Sequence, residues 1–202
     1  MRALFFSGII YLVSSCDTGT LSEHRPEFTN LTTDSLLFQN LSAKTKVLNL
    51  PSISNGVDSF ELRVWHGISI ATPKWLVILK YQDSAWHLTD TDCWFNYQWT
   101  NGRPDKVLLD SSFTNSLKVP SNISSLVDSI RRFRFDTFPS QGEIPDFEDR
   151  VADGVFYQIE LATPNFYKAI GYSNPARYHD DYNQKVRRLI TIMNDIGVFS
   201  MP

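Results

Sequence analysis

Residues 74–81, Lys-Trp-Leu-Val-Ile-Leu-Lys-Tyr, carry apolar side chains on both sides of an extended chain: Trp75, Val77, Leu79 and Tyr81 oppose Leu76 and Ile78. A strand of this kind belongs in the interior of a sheet with cover on each face. Its neighbours are legible on either side. Upstream, 59–67 alternates Phe60, Leu62, Val64 and His66 against Glu61, Arg63 and Trp65, the period of a half-buried strand. Downstream, Asp83 and Ser84 make a hairpin turn into a third strand over 85–99, which ends at the turn dipeptide Asn101-Gly102. A fourth strand lies near 105–111, and the four together predict an antiparallel meander.

Helical spacing follows. Ser121 is placed as an N-cap, and Ile123, Leu126, Val127, Ile130 and Phe133 recur as one apolar stripe before Pro139. Arg131, Arg132 and Arg134 fall in the last turns, where cations suit the negative end of the helix dipole. After a polar loop, Val155, Tyr157, Ile159 and Leu161 alternate into a hairpin with 166–173. Asn174-Pro175 then reads as the cap and first position of a second helix bearing Tyr182, Val186, Leu189, Ile190 and Met193, stopped by Gly197. The expected fold is therefore α+β: an antiparallel sheet, meander plus hairpin, with two helices packed on it over 58–202. Whether the two helices share a face is left open.

The chain has 202 residues, 42% hydrophobic and 20% charged, which is ample for one core. A net charge of −3 supplies no field for nucleic acid, so no nucleic-acid partner is expected. Residues 17–57 are rich in Ser, Thr and Asn and read as a tether. Leu36, Leu37, Phe38 and Leu41 allow a helical turn or two there, and 45–50 an edge strand.

The first fifteen residues have the order of a secretory signal: Met1-Arg2, an apolar run over 3–13, then Ser14-Ser15. Leu12-Val13-Ser14-Ser15-Cys16 resembles the lipobox of bacterial lipoproteins. That resemblance implies a diacylglyceryl group on the Cys16 sulfur, a further acyl chain such as palmitate on its amine, and a protein held at the membrane of the cell envelope. At roughly 0.8 kcal/mol per buried methylene, two or more chains make a lasting anchor where one does not. On this reading 1–15 is the signal peptide, 16–57 the lipidated N-terminus and tether. The tyrosine-rich hairpin over 153–175, closing on Ser173-Asn174-Pro175, is also loosely similar to a pattern in uncharacterised lipoproteins of Bacteroidota-type bacteria, a likeness that implies no site.

Reaction chemistry is thinly signalled. His87, Asp90, Asp92 and Cys93 lie close in sequence, but on a strand the two carboxylates face one way and His87 with Cys93 the other, so no metal site is expected. A hydrolase using Cys93 with His87 or His66 is the rival reading, since such partners need be near only in space. The acids Asp146, Glu148, Asp149 and Asp153 lack the ligand alternation of a calcium loop. Neither a phosphate-cradling glycine loop nor a nucleophile elbow occurs, and no cofactor is expected. All five tryptophans fall between Trp65 and Trp99. By strand parity Trp65 and Trp94 are the candidates to face outward and grip a protein or glycan, as exposed aromatics with polar rims do. A non-catalytic envelope binding module is the expected function; a purely structural envelope component would show neither an aromatic patch nor a catalytic pair.

Overall fold

A computed structural model describes residues 27–68, 74–100, 103–148 and 154–195, with backbone alone at 99–100 and 103–105. Seven strands form one sheet in the order β1-β7-β6-β2-β3-β4-β5. They are β1 (Thr29–Asn30), β2 (Phe60–Gly67), β3 (Lys74–Gln82), β4 (Ala85–Thr100), β5 (Arg103–Leu117), β6 (Phe156–Ala162) and β7 (Phe166–Ser173). β2 to β5 run as a meander, and the β6–β7 hairpin joins it through antiparallel pairing of β6 with β2. Asp83 and Ser84 both take positive φ, 52° and 62°, the turn geometry that matches the twist of a tight hairpin.

The fold departs from the sequence reading in three respects. The sheet is mixed, because β1 pairs in parallel with β7. Three α-helices pack on it: α1 (Ser35–Val47), α2 (Ile123–Arg132) and α3 (Asp181–Asp195). And the segment expected to be a tether is part of the folded body from Phe28 onward: Asp34 caps α1 by accepting the Leu37 N–H at 3.0 Å, and Leu37, Leu41 and Ile53 are buried. The 45–50 stretch closes α1 and its following turn instead of forming a strand.

Helix ends shift for local reasons. α2 begins after Asn122, one residue later than expected, and Arg134 lies beyond it in a left-handed conformation, bonded to Asp136 at 2.9 Å. Asn174 is left-handed and starts only a single 3-10 turn, because its Oδ1 accepts the Val155 N–H at 3.0 Å and ties the chain to the entry of β6. α3 starts at Asp181, with Asp180 Oδ1 accepting the Asn183 N–H. Gly197, the Asn101-Gly102 turn and Cys16 lie outside the described residues.

Each face of the sheet has its own core. On one, Phe60, Leu62, Val64, Val77 and Ile159 meet Val127 and Ile130 of α2 and Val186, Leu189 and Met193 of α3. On the other, Trp65, Leu76, Ile78, Cys93 and Tyr167 lie under Leu37 and Leu41 of α1. The two-faced β3 strand is thus covered on both sides, by different helices. Among the described residues no helix is long and apolar enough to cross a membrane.

Candidate functional site

Cross-strand pairing sets the side chains on the α2–α3 face of the sheet into rows. One row reads Phe113 on β5, Asp92 on β4, Trp75 on β3, His66 on β2 and Tyr157 on β6. Side chains directly opposite in a pair point to the same face, as do those two apart along a strand. Its central part is packed: the His66 ring stacks between Trp75 at 5.2 Å and Tyr157 at 4.9 Å. Burial, then the Lys74 ammonium, pushes His66 down to about 4, so the ring is neutral at physiological pH.

Toward the β4–β5 arm the same face opens to solvent. Trp94 is 39% exposed and Phe113 62%, with Asn96 and Ser111 exposed around them. Phe113 faces Asp92 directly and Trp94 diagonally, so two aromatic surfaces flank a carboxylate. Asp90, the next residue on this face, is pushed up to about 6 by burial and then by the Asp92 charge. The arrangement offers flat apolar surface beside hydrogen-bond acceptors.

Trp65 does not belong to this surface. It is 1% exposed, points to the α1 face, and donates its Nε1–H to Glu160 Oε2 at 2.8 Å. Its expected role as an outward platform is corrected on that ground: Glu61 and Arg63 make its side of β2 look polar, yet α1 covers that side. Phe113, conversely, carried no signal that sequence reasoning used.

The α1 face buries a polar group. Glu160 accepts from Trp65 and, on Oε1, from the Tyr167 hydroxyl at 2.8 Å. Arg63 sits directly across from it in the sheet but bonds Glu61 at 2.7 Å and the Pro51 carbonyl. Lys44 of α1 donates to Gln158 at 2.7 Å, and burial, then Lys74, pushes its ammonium down to about 7. Lys74 folds over the Phe156 ring, its Nζ 4.9 Å from the centroid, in space that a side chain on Gly67 would fill: a Cβ there would lie 2.6 Å from both. Beside this group a cavity of about 330 Å³ opens between α1, the loop after it and the sheet, with Thr45, Lys46, Asn49, Glu160 and Tyr167 on its walls.

Cys93 and the histidines are not brought together. Cys93 is wholly buried on the α1 face, its thiol pushed up to about 12 by burial and the Asp92 charge, and His66 faces the opposite side. His87 shares the Cys93 face but is exposed, six positions away and about 20 Å off along the strand. Asp146 and Glu148 meet His179 and Asp180 around a second cavity of about 330 Å³, but among the described residues no three potential ligands converge on one point. Asp149 and Asp153 lie outside the described residues. Compared with known proteins, the sequence matches no family model and no curated protein.

Proposed function

We propose that this chain is a lipid-anchored protein of the bacterial cell envelope that binds a glycan on the open face of its β4–β5 arm. The observation that carries the reading is the pairing of exposed Trp94 and Phe113 around Asp92. Sugar rings present C–H faces that stack on aromatic surfaces and hydroxyl edges that donate to carboxylate and amide oxygens, and Asp92 with Asn96 supplies such oxygens beside the rings. The membrane attachment rests on the Leu12-Val13-Ser14-Ser15-Cys16 sequence and its likeness to a lipobox. Acyl chains at that cysteine would keep the arm near the polymers of the cell surface.

The test is retention of the purified protein on immobilised envelope polysaccharide, with Trp94→Ala and Phe113→Ala as variants. Each is expected to weaken retention at least about tenfold, as loss of a stacking contact worth around 1.4 kcal/mol would. Equal retention of wild type and both variants would remove the reading, and capture of a protein in place of saccharide by a Trp94-dependent contact would replace it. Mass spectrometry of the processed chain tests the anchor separately: acyl groups on Cys16 are expected, and an unmodified thiol there would refute it.

A further inference from the structure

The cavity beside α1 holds an unusual buried charge. Glu160 is 3% exposed, yet among the described residues it forms no contact ion pair. Its two hydrogen bonds come from neutral donors, Trp65 and Tyr167. The cations nearest in the fold direct their hydrogen bonds elsewhere, Arg63 to Glu61 and Pro51 and Lys44 to Gln158, so Lys44 acts on Glu160 only through space, and among the described residues Arg63 Nη1 has no acceptor. Buried charges are ordinarily paired, and an ionised carboxylate has about four acceptor positions, of which two are filled here. Glu160 is one of the residues on the wall of the cavity.

The rest of the wall narrows what fits. Ser42, Thr45, Ser52 and Asn49 offer small polar groups, and Leu50 with Ile53 gives an apolar side. α1 ends at this cavity, and the negative end of its dipole adds to the carboxylate's attraction for a cation. Lys46, exposed on the rim, is placed for an anionic group.

We propose that this cavity binds a small zwitterion, of which a free amino acid is the simplest, with the ligand's primary ammonium on Glu160 and the Tyr167 hydroxyl and its carboxylate toward Lys46. An ammonium has three donors and one charge, which matches the unfilled acceptor positions of Glu160 and the hydroxyls beside it. The apolar side then takes a short aliphatic side chain. The site is independent of the glycan surface, since it lies on the opposite face of the sheet.

Calorimetry and thermal-shift measurements on the purified protein test this with the common free amino acids, their N-acetyl derivatives and the corresponding decarboxylated amines. At least one amino acid is expected to bind with a saturable heat and raise the melting temperature. Its N-acetyl form should bind at least about tenfold more weakly, having lost the charge-assisted bond, and its decarboxylated amine should also bind more weakly. Glu160→Gln should abolish binding, but that change places an amide N–H against existing donors and can disturb folding. Ser42→Trp is therefore the decisive variant: Ser42 is exposed on α1, and an indole there fills the cavity mouth while Glu160 keeps its partners. It should melt like wild type without ligand and fail to bind. No saturable binding by any amino acid, equal binding of the N-acetyl forms, or unchanged binding by a folded Ser42→Trp protein would each overturn the proposal.

Discussion

Lys74 shows how a single side chain records the conflict between burial and charge. The residue is 3% exposed, its ammonium lies over Phe156 and among the described residues has no hydrogen-bond acceptor, and burial pushes it down to about 8 from 10.5. Lys44 is shifted the same way, to about 7. Because the folded state holds these protons less tightly than the unfolded chain, their contribution to stability is full only above about pH 10.5 and is lost as pH falls through 8 and 7. Stability measured by denaturant should therefore gain from these two groups as pH rises from about 7 to 9. Lys74→Met should flatten that rise and stabilise the protein at pH 7 by on the order of 1 kcal/mol, since an apolar stem on the same ring needs no acceptor. An unchanged pH slope in the variant would show that Lys74 is not the buried cation described here. None of this was readable in the sequence, where Lys74 marks only the start of an apolar strand.

At the scale of elements, what was legible followed side-chain period. β2, β3 and β6 alternate or run apolar over seven to nine residues, and α2 and α3 each carry one apolar stripe, so all five could be placed. α1 was undervalued because its inward face is itself polar: beside Leu37 and Leu41 it buries Lys44 and Thr45, which blur the stripe. β1 has two residues, too few for any pattern, and is held by the Thr29 and Leu31 N–H groups bonding the carbonyls of Asn165 and Tyr167. The burial of Trp65 is masked in the same way, since its charged neighbour Arg63 is buried on the same face and Glu61 partly so. If α1 is the cover of that core, Leu41→Ala should cost about 2–5 kcal/mol, the range for emptying a buried leucine site. Leu36→Ala, five residues earlier on the same helix and 72% exposed, should change stability by less than about 0.5 kcal/mol.

For the whole molecule, the meander, hairpin and two of the helices were readable, and the two-sided character of β3 signalled that both faces needed cover. The identity of the second cover was hidden in a segment whose composition resembles a linker. That difference has a direct consequence for where the folded unit begins. A chain starting at residue 58 would leave Trp65, Leu76, Ile78 and Tyr167 without α1, an exposed apolar face of the kind that drives association. Such a truncation should aggregate or lose its cooperative melting transition, whereas one starting at residue 27 should melt as a single unit. Cooperative, monomeric unfolding of the 58–202 fragment would contradict the two-core architecture. The candidate surfaces were less legible than the fold, because Glu160 and Phe113 acquire meaning only from strands that are distant in sequence.

The contrasting settings of Trp65 and Trp94 equip the protein with two natural optical reporters. Trp65 is sealed beneath α1 against a carboxylate, while Trp94 is partly open to solvent on the reverse side. In a protein with Trp75, Trp86 and Trp99 replaced by phenylalanine, a collisional quencher such as acrylamide reaches Trp94 more readily than Trp65, so the emission left after quenching is weighted toward the sealed indole and that lost toward the open one. Loss of the α1 layer and occupation of the β4–β5 arm would then register as opposite changes in accessible emission, distinguishable in one cuvette without any added label.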